Sequence, residues 1–184
     1  MIAITSLWLP IVLSAALVWF ASALVWTVMP HRRKEFQGLP DEEAVRRALH
    51  AAPGEYVVPY APDAATMKDP SYLQKMEHGP VAFVRVLPPG RPDMAKPMAL
   101  SLLYYLLVGV AVAYLASRTL EPGAPYLSVF RITGAVAWIA YFFAAVPDAI
   151  WFGKPWTSTA KLFVESLLYA CLTAGVFGSL WPQG

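Results

Sequence analysis

Cysteine occurs once, at Cys171, and histidine three times, at His31, His50 and His78, in a chain of 184 residues. A single cysteine excludes an intrachain disulfide and leaves no basis for a cysteine zinc site. Lying in an apolar run, Cys171 reads as a small buried hydrophobe. No histidine falls within a long apolar segment, which excludes a bis-histidine haem inside a bilayer. His31 adjoins Arg32-Arg33-Lys34 and reads as a headgroup-level residue. His50 and His78 read as last-turn helix residues that complement the macrodipole. No glycine-rich phosphate loop is present, no Ser/His/Asp spacing stands out, and "LPPGRP" reads as a turn. Tyr56, Tyr60 and Tyr72 read as packing residues. These absences predict no catalytic residue, no cofactor, no metal and no nucleic-acid partner, so the chain is read as non-enzymatic.

Charge is scarce as well. Charged residues make up 14% of the chain and apolar ones 58%, with mean hydropathy +0.49, against about 25% and 45–50% in a soluble domain. Four segments are long and apolar enough to cross a bilayer core of about 30 Å at about 1.5 Å rise per residue: Leu7 to Val28, Met98 to Ser117, Leu127 to Ile150 and Lys161 to Leu180. Ala21-Ser22-Ala23 resembles a signal cleavage site. However, no Lys or Arg precedes that apolar run, and its length favours a retained span. Small residues along the spans (Ser14, Ala15, Gly109, Ala113, Gly134, Ala174, Gly178) permit close backbone approach. The same faces would suit a partner helix.

The fold class predicted is therefore an all-α membrane protein. It is a four-transmembrane-helix bundle (helix 1 in residues 1–29, helices 2–4 in 98–184) with a small mixed α/β cytoplasmic element at 30–97. Of the 14 Lys and Arg, 10 lie between Arg32 and Lys96, and Lys154 and Lys161 flank the short third loop, whereas the opposite side carries only Arg118 and Arg131. That bias places both loops in the cytoplasm and both termini outside. Trp8, Tyr114, Tyr126 and Trp181 near one face, and Trp26, Trp151 and Trp156 near the other, read as interfacial belts.

The 30–97 segment is well punctuated. "LPDEEAVRRALHAAPG" reads as a short helix with Glu42/Arg46 and Glu43/Arg47 pairs, and "GEYVVPY" as a strand. "DPSYLQKMEHGP" reads as a helix capped by Asp69, with Pro70 at its first position and Gly79 at its end, and "VAFVRVL" as a second strand. The strands could pair either way. Both faces of the second strand are apolar, so Val81, Phe83, Val84, Val86 and Leu87 are predicted to dock on the bundle or on another protein, although a mere cap over the bundle would use them equally.

The ionisable residues left near the spans are Asp148, Lys154, Lys161 and Glu165. Intramembrane charge costs about 2.5–3.5 kcal/mol at a helix centre. Counted from Lys161, Glu165 lies only about 6 Å into its span. It is read as one member of an inner-interface polar collar, paired with Lys161 or Lys154. Arg131 is read as snorkelling outward.

"LVWTVMP" with a basic stretch and "DEEAV" after helix one, and "DAIWFGKPW" before a last helix ending "GVFGSLWP", resemble a group of small, uncharacterised bacterial inner-membrane proteins with four helices. The long insert between helices one and two departs from that group's compact pattern. The resemblance implies a multi-pass inner-membrane protein and carries over no functional residue. The function expected is a structural, accessory or assembly subunit of a larger membrane complex, with lipid and other subunits, or the chain itself, as partners. Two alternatives differ from it in kind. One is a homo-oligomeric solute or ion transporter using Asp148 and Glu165. The other is a lipid-modifying enzyme at the inner interface, for which nothing at catalytic spacing speaks.

Overall fold

A computed structural model describes residues 2–33 and 35–183. His31 and Arg33 are described in their backbone only, so the reading of the His31 side chain, like that of Lys34, lies outside the described residues. The chain is mostly helical. A 3-10 turn at Ile4–Leu7 leads into α1 (Trp8–Val28), followed by α2 (Pro30–Arg33), α3 (Glu42–Ala48), β1 (Gly54–Val58), α4 (Pro70–His78) and β2 (Ala82–Val86). Then come α5 (Ala95–Thr119), α6 (Tyr126–Phe142), α7 (Val146–Trp151) and α8 (Trp156–Ser179). Two compact units result, one from residues 1–36 with 93–184 and one from 37–92.

In the larger unit, four helical stretches of 24 to 26 residues are long and apolar enough to cross a membrane. Helix α1 packs on α5 and α8, and α6 packs on α5 and α8, which closes a ring of four with sequence neighbours side by side. The buried share of these stretches is only 17–39%, and residues such as Phe20, Leu24, Leu107, Ile139 and Val164 are exposed. A bundle apolar on its outside as well as its inside is what a lipid solvent requires.

The structure differs from the sequence expectation in three informative ways. Helix α8 starts at Trp156, directly after Pro155, because Trp-Thr-Ser-Thr continues the helix rather than the loop. Span three is not one unbroken helix. Pro147 lacks an N–H and its ring crowds the carbonyl of Phe143, so the ladder tightens to a 3-10 turn at Phe143–Ala145 before α7. Trp181 is not an exposed anchor: it is 3% exposed and its Nε1 donates to the Glu121 carbonyl at 3.0 Å, sealing that end together with Gly123 N–H to Pro182 O at 2.9 Å. Trp8, Trp26, Trp151 and Trp156 are all more than half exposed.

The core divides along the bundle axis. Towards the Trp181 end it is a closed apolar cluster that includes Leu7, Ile11, Val112, Ala116, Val129 and Phe177. Towards the Arg32 end it shrinks to Val18, Val25 and Tyr169. Cys171 is exposed, contrary to its reading as buried, because α8 buries the opposite face, through Glu165, Ser166, Tyr169, Ala170, Thr173, Ala174 and Phe177.

The second unit is a two-stranded antiparallel sheet with Val57 opposite Phe83 and Tyr56 opposite Val84, accompanied by α3 and α4. Asp41 caps α3 by accepting from Ala44 N–H, and Asp69 caps α4 by accepting from Ser71 N–H. The pair on α3 is Glu43 with Arg46, one residue closer than the spacing expected, and it is solvent-exposed. His50 lies beyond α3, since the chain leaves helical geometry at Leu49 (ψ 62°), whereas His78 sits in the last turn of α4, its Nδ1 2.8 Å from Gln74 O.

Close approach of α1 and α5 depends on Gly109, where an added Cβ would stand 3.3 Å from the Ile11 backbone carbonyl. Gly109→Leu is expected to cost about 1–3 kcal/mol in detergent unfolding. Gly175→Ala, whose Cβ would meet only the Tyr126 hydroxyl at 4.0 Å, is expected to be neutral or stabilising by under about 1 kcal/mol.

Candidate functional site

The site begins where α1 stops. Met29 turns extended (φ −73°, ψ 126°), and Pro30, pre-set for a helix start, opens the short α2. That break brings the Arg32 side chain onto α8. Arg32 Nε and Nη2 donate to Glu165 Oε1 and Oε2 at 2.8 and 2.5 Å, and Nη1 donates to Glu35 Oε2 at 2.6 Å. The guanidinium also lies 4.3 Å from the Trp26 ring centroid. Only arginine has the planar fork that satisfies one carboxylate bidentately, reaches a second and stacks on an indole.

The cluster is dry: the side chains of Arg32, Glu165 and Glu35 are 6%, 6% and 11% exposed. Burial alone would lower the pKa of Arg32, but the hydrogen bonds and charges of Glu165 and Glu35 outweigh it and the pKa rises. Burial would raise that of Glu35, but hydrogen bonds to Ser158 and Arg32, with the charges of Arg32 and Lys161, hold it below its ordinary value of 4.5. Two cations, Arg32 and Lys161, thus face two anions, Glu35 and Glu165.

Arg32, from the far end of the sequence, joins the collar expected from sequence as a bidentate partner of Glu165. Counted from Trp156, Glu165 is nine residues, about 14 Å, along its helix. Lys161 contributes its charge at Glu35. Asp148 is exposed in the first turn of α7, and its backbone carbonyl accepts from Phe152 and from Lys154 N–H at 3.1 and 3.2 Å. Gly153 (φ +67°) makes that tight return possible. Lys154 is half-buried, and Arg131 is exposed on α6.

Above the ion cluster a polar seam continues up α8. Glu165, Tyr169 and Thr173 follow one another at four-residue steps on its buried face. Tyr105, Tyr141 and Tyr169 contact each other edge-on, with centroids 6.0–6.5 Å apart. Tyr141 Oη lies 3.4 Å from Thr173 Oγ1. Two clefts of about 320 Å³ flank α1. One, between α1 and α8, is lined by Val25, Met29, Lys161, Val164, Glu165 and Leu168. The other, between α1 and α5, has Trp19, Trp26, Met94 and Met98 for walls and Ser22 and Tyr105 among its polar lining.

In the second unit, Val81, Phe83 and Leu87 are 48%, 55% and 71% exposed, while Val84 and Val86 are half-buried. Phe83 lines an open hollow of about 630 Å³ with Glu55, Tyr56, Val57 and Tyr60. No group of three or more potential metal ligands occurs among the described residues.

Arg32, Glu35 and the tyrosine seam are the residues that sequence reasoning missed. The signal was present. An antiparallel ring sets the end of α1 level with the start of α8, so a basic run at the former faces a lone acid at the latter. The four-residue spacing of Glu165, Tyr169 and Thr173 marks the inward face of an otherwise apolar helix. Comparison of the chain with protein-family models, curated proteins and solved structures finds no match.

Removing one partner strands a buried charge, so Arg32→Met and Glu165→Met are each expected to destabilise by about 3–5 kcal/mol, and the triple replacement that also changes Glu35 to Gln to recover most of that, read by detergent unfolding. Glu35 has a lowered folded pKa. Its stabilisation is present above its unfolded pKa and is lost as pH falls through the folded value. The melting temperature is thus expected to drop more on acidification in the native protein than in Glu35→Gln.

Proposed function

We propose that this chain is a multi-pass inner-membrane protein of bacterial type, related to the small four-helix group its ends resemble, and that it serves as a non-catalytic accessory or assembly subunit of a larger membrane complex. Both termini lie outside and the 37–92 unit lies in the cytoplasm, where it is the docking module. The observation that carries this reading is the state of that unit. None of its residues is buried, while Tyr56, Tyr60, Met67, Leu73, Val81, Phe83 and Leu87 are all more than a third exposed. Two strands and two short helices with no interior of their own are marginal in water, and an apolar surface with an aromatic-lined hollow is the kind that a partner covers.

Against the transporter reading stand three observations. Arg32 engages Glu165 through both carboxylate oxygens, and the Trp181 half of the bundle is filled by Val112, Val129 and Phe177, each fully buried. Glu165, 5% exposed and held inside the bundle, does not face an axis between copies as that reading requires.

The test is isolation from native membranes in mild detergent. The protein is expected to migrate in a heteromeric complex, and Phe83→Asp with Leu87→Asp to release it as a folded, smaller species. A lone monomer with unchanged mobility after these substitutions would count decisively against the docking role. Cysteine-accessibility labelling of residues placed at the two termini checks the orientation: protection from an impermeant reagent in intact cells would refute it.

A further inference from the structure

Arg131 is exposed on α6, five residues or about 8 Å inside the helix. It has no hydrogen bond or ion pair among the described residues. A guanidinium is always charged, and on a lipid-facing surface its head must reach water or an anion. What Arg131 lines is a cleft of about 210 Å³ between α6 and α8. Arg131 stands near one end of the α6 wall and Trp138, two turns further on, at the other. Between them the lining is small: Gly134 and Ala135 from α6 and Ala170 from α8, with Leu167 alongside. An added Cβ at Gly134 would stand 3.2 Å from the Ala174 Cβ, so the two helices meet closely there and no side chain from position 134 fills the groove. Trp138 is held in place by stacking on Phe142 and by edge contacts with Phe143 and Phe163.

Length, polarity and charge select the occupant. From Arg131 to Trp138 the α6 wall runs about 10 Å, against the roughly 15 Å that one leaflet spans in a bilayer core of about 30 Å. The cation lies at the end nearer the terminus of the span, and the wall beyond it is apolar. That is the polarity of a lipid in one leaflet, with its charged head outward and its chain inward. No acid lines the cleft, so nothing there meets the ammonium of a zwitterionic headgroup. A phosphodiester, in contrast, accepts from the arginine fork through two oxygens.

We propose that the α6–α8 cleft is a binding site for one anionic phospholipid, with its phosphate on Arg131 and an acyl chain lying over Gly134, Ala135 and Ala170 as far as Trp138. The site rests on the bilayer part of the reading above, and on neither the orientation nor the docking role.

The experiment supplies delipidated full-length protein in mild detergent with phosphatidylglycerol or phosphatidylcholine of matched chains and counts retained lipid by native mass spectrometry. The wild type is expected to retain one phosphatidylglycerol, with about tenfold preference over phosphatidylcholine. Arg131→Gln removes the cation, and Ala135→Phe, at an exposed position, fills the groove while leaving the charge. Each is expected to lower phosphatidylglycerol retention about tenfold, with thermal unfolding in lipid-free detergent unchanged. Arg118→Gln is the control: that guanidinium stacks over Tyr114 and does not line the cleft, and its loss is expected to leave retention as in the wild type. Equal retention of the two lipids, retention unaffected by Arg131→Gln or by Ala135→Phe, or an equal loss in Arg118→Gln means general attraction to headgroups and overturns the site. Release of the protein from membranes by alkaline carbonate would refute the bilayer reading itself, whereas resistance to extraction without lipid selectivity refutes this site alone. Failure of complex isolation with a positive lipid result would refute the docking role and leave the site standing.

Discussion

The ion pair between Arg32 and Glu165 is the constraint on which the Arg32 end of the bundle depends. Towards Trp181 the helices are held by apolar contact, glycine-mediated approach and the Trp181 seal. Towards Arg32 they spread around α1, leaving a cleft on each side. What closes the ring there is polar: Arg32 on Glu165 and Glu35, and Trp19 Nε1 donating to Met98 O at 3.0 Å. Between lipid-exposed helices there is no gain from burying more hydrocarbon, so hydrogen bonds and small-residue packing must supply association. A buried charge pair adds little net stability, yet it admits one register of α1 against α8 and penalises every other by an unpaired charge.

The four long helices were legible because length and hydropathy leave few alternatives for runs of this kind. The caps at Asp41 and Asp69 were equally plain, since their chemistry is local. What was hard to read were positions decided by tertiary partners. The start of α8 was placed at Lys161 because Trp156 to Thr159 looks like loop, and this displaced Glu165 towards the edge of its span. The Arg32 partner of Glu165 is beyond the reach of local spacing, since the two residues are 133 apart in sequence. Antiparallel pairing of β1 and β2 is likewise a fact of assembly rather than of either strand.

An inversion of polar and apolar faces accounts for the position of Cys171. In α8 the buried face carries Ser158, Thr159, Glu165, Ser166, Tyr169 and Thr173, and the exposed face carries Val164, Leu167, Leu168 and Cys171. Cys171 reads as buried because it lies in an apolar run, but on this helix that part of the run faces outward. In lipid the polar periodicity points inward, because there the backbone and hydroxyls find partners only in other helices. The apolar positions are nearly uninformative on such a helix, and the few hydroxyls and acids hold the orientation.

The distance along the chain between Arg32 and Glu165 also orders events in biogenesis. A chain made from its N-terminus presents α1 to the bilayer long before α8 exists, and Arg32, at the end of its span, can wait among the headgroups at small cost. Glu165 has no such refuge, being about two and a half turns inside its helix. In a bilayer, a last helix carrying this acid is accommodated at lower cost once Arg32 is in place to meet it. Assembly of this bundle finishes at the seam where the first and last segments meet.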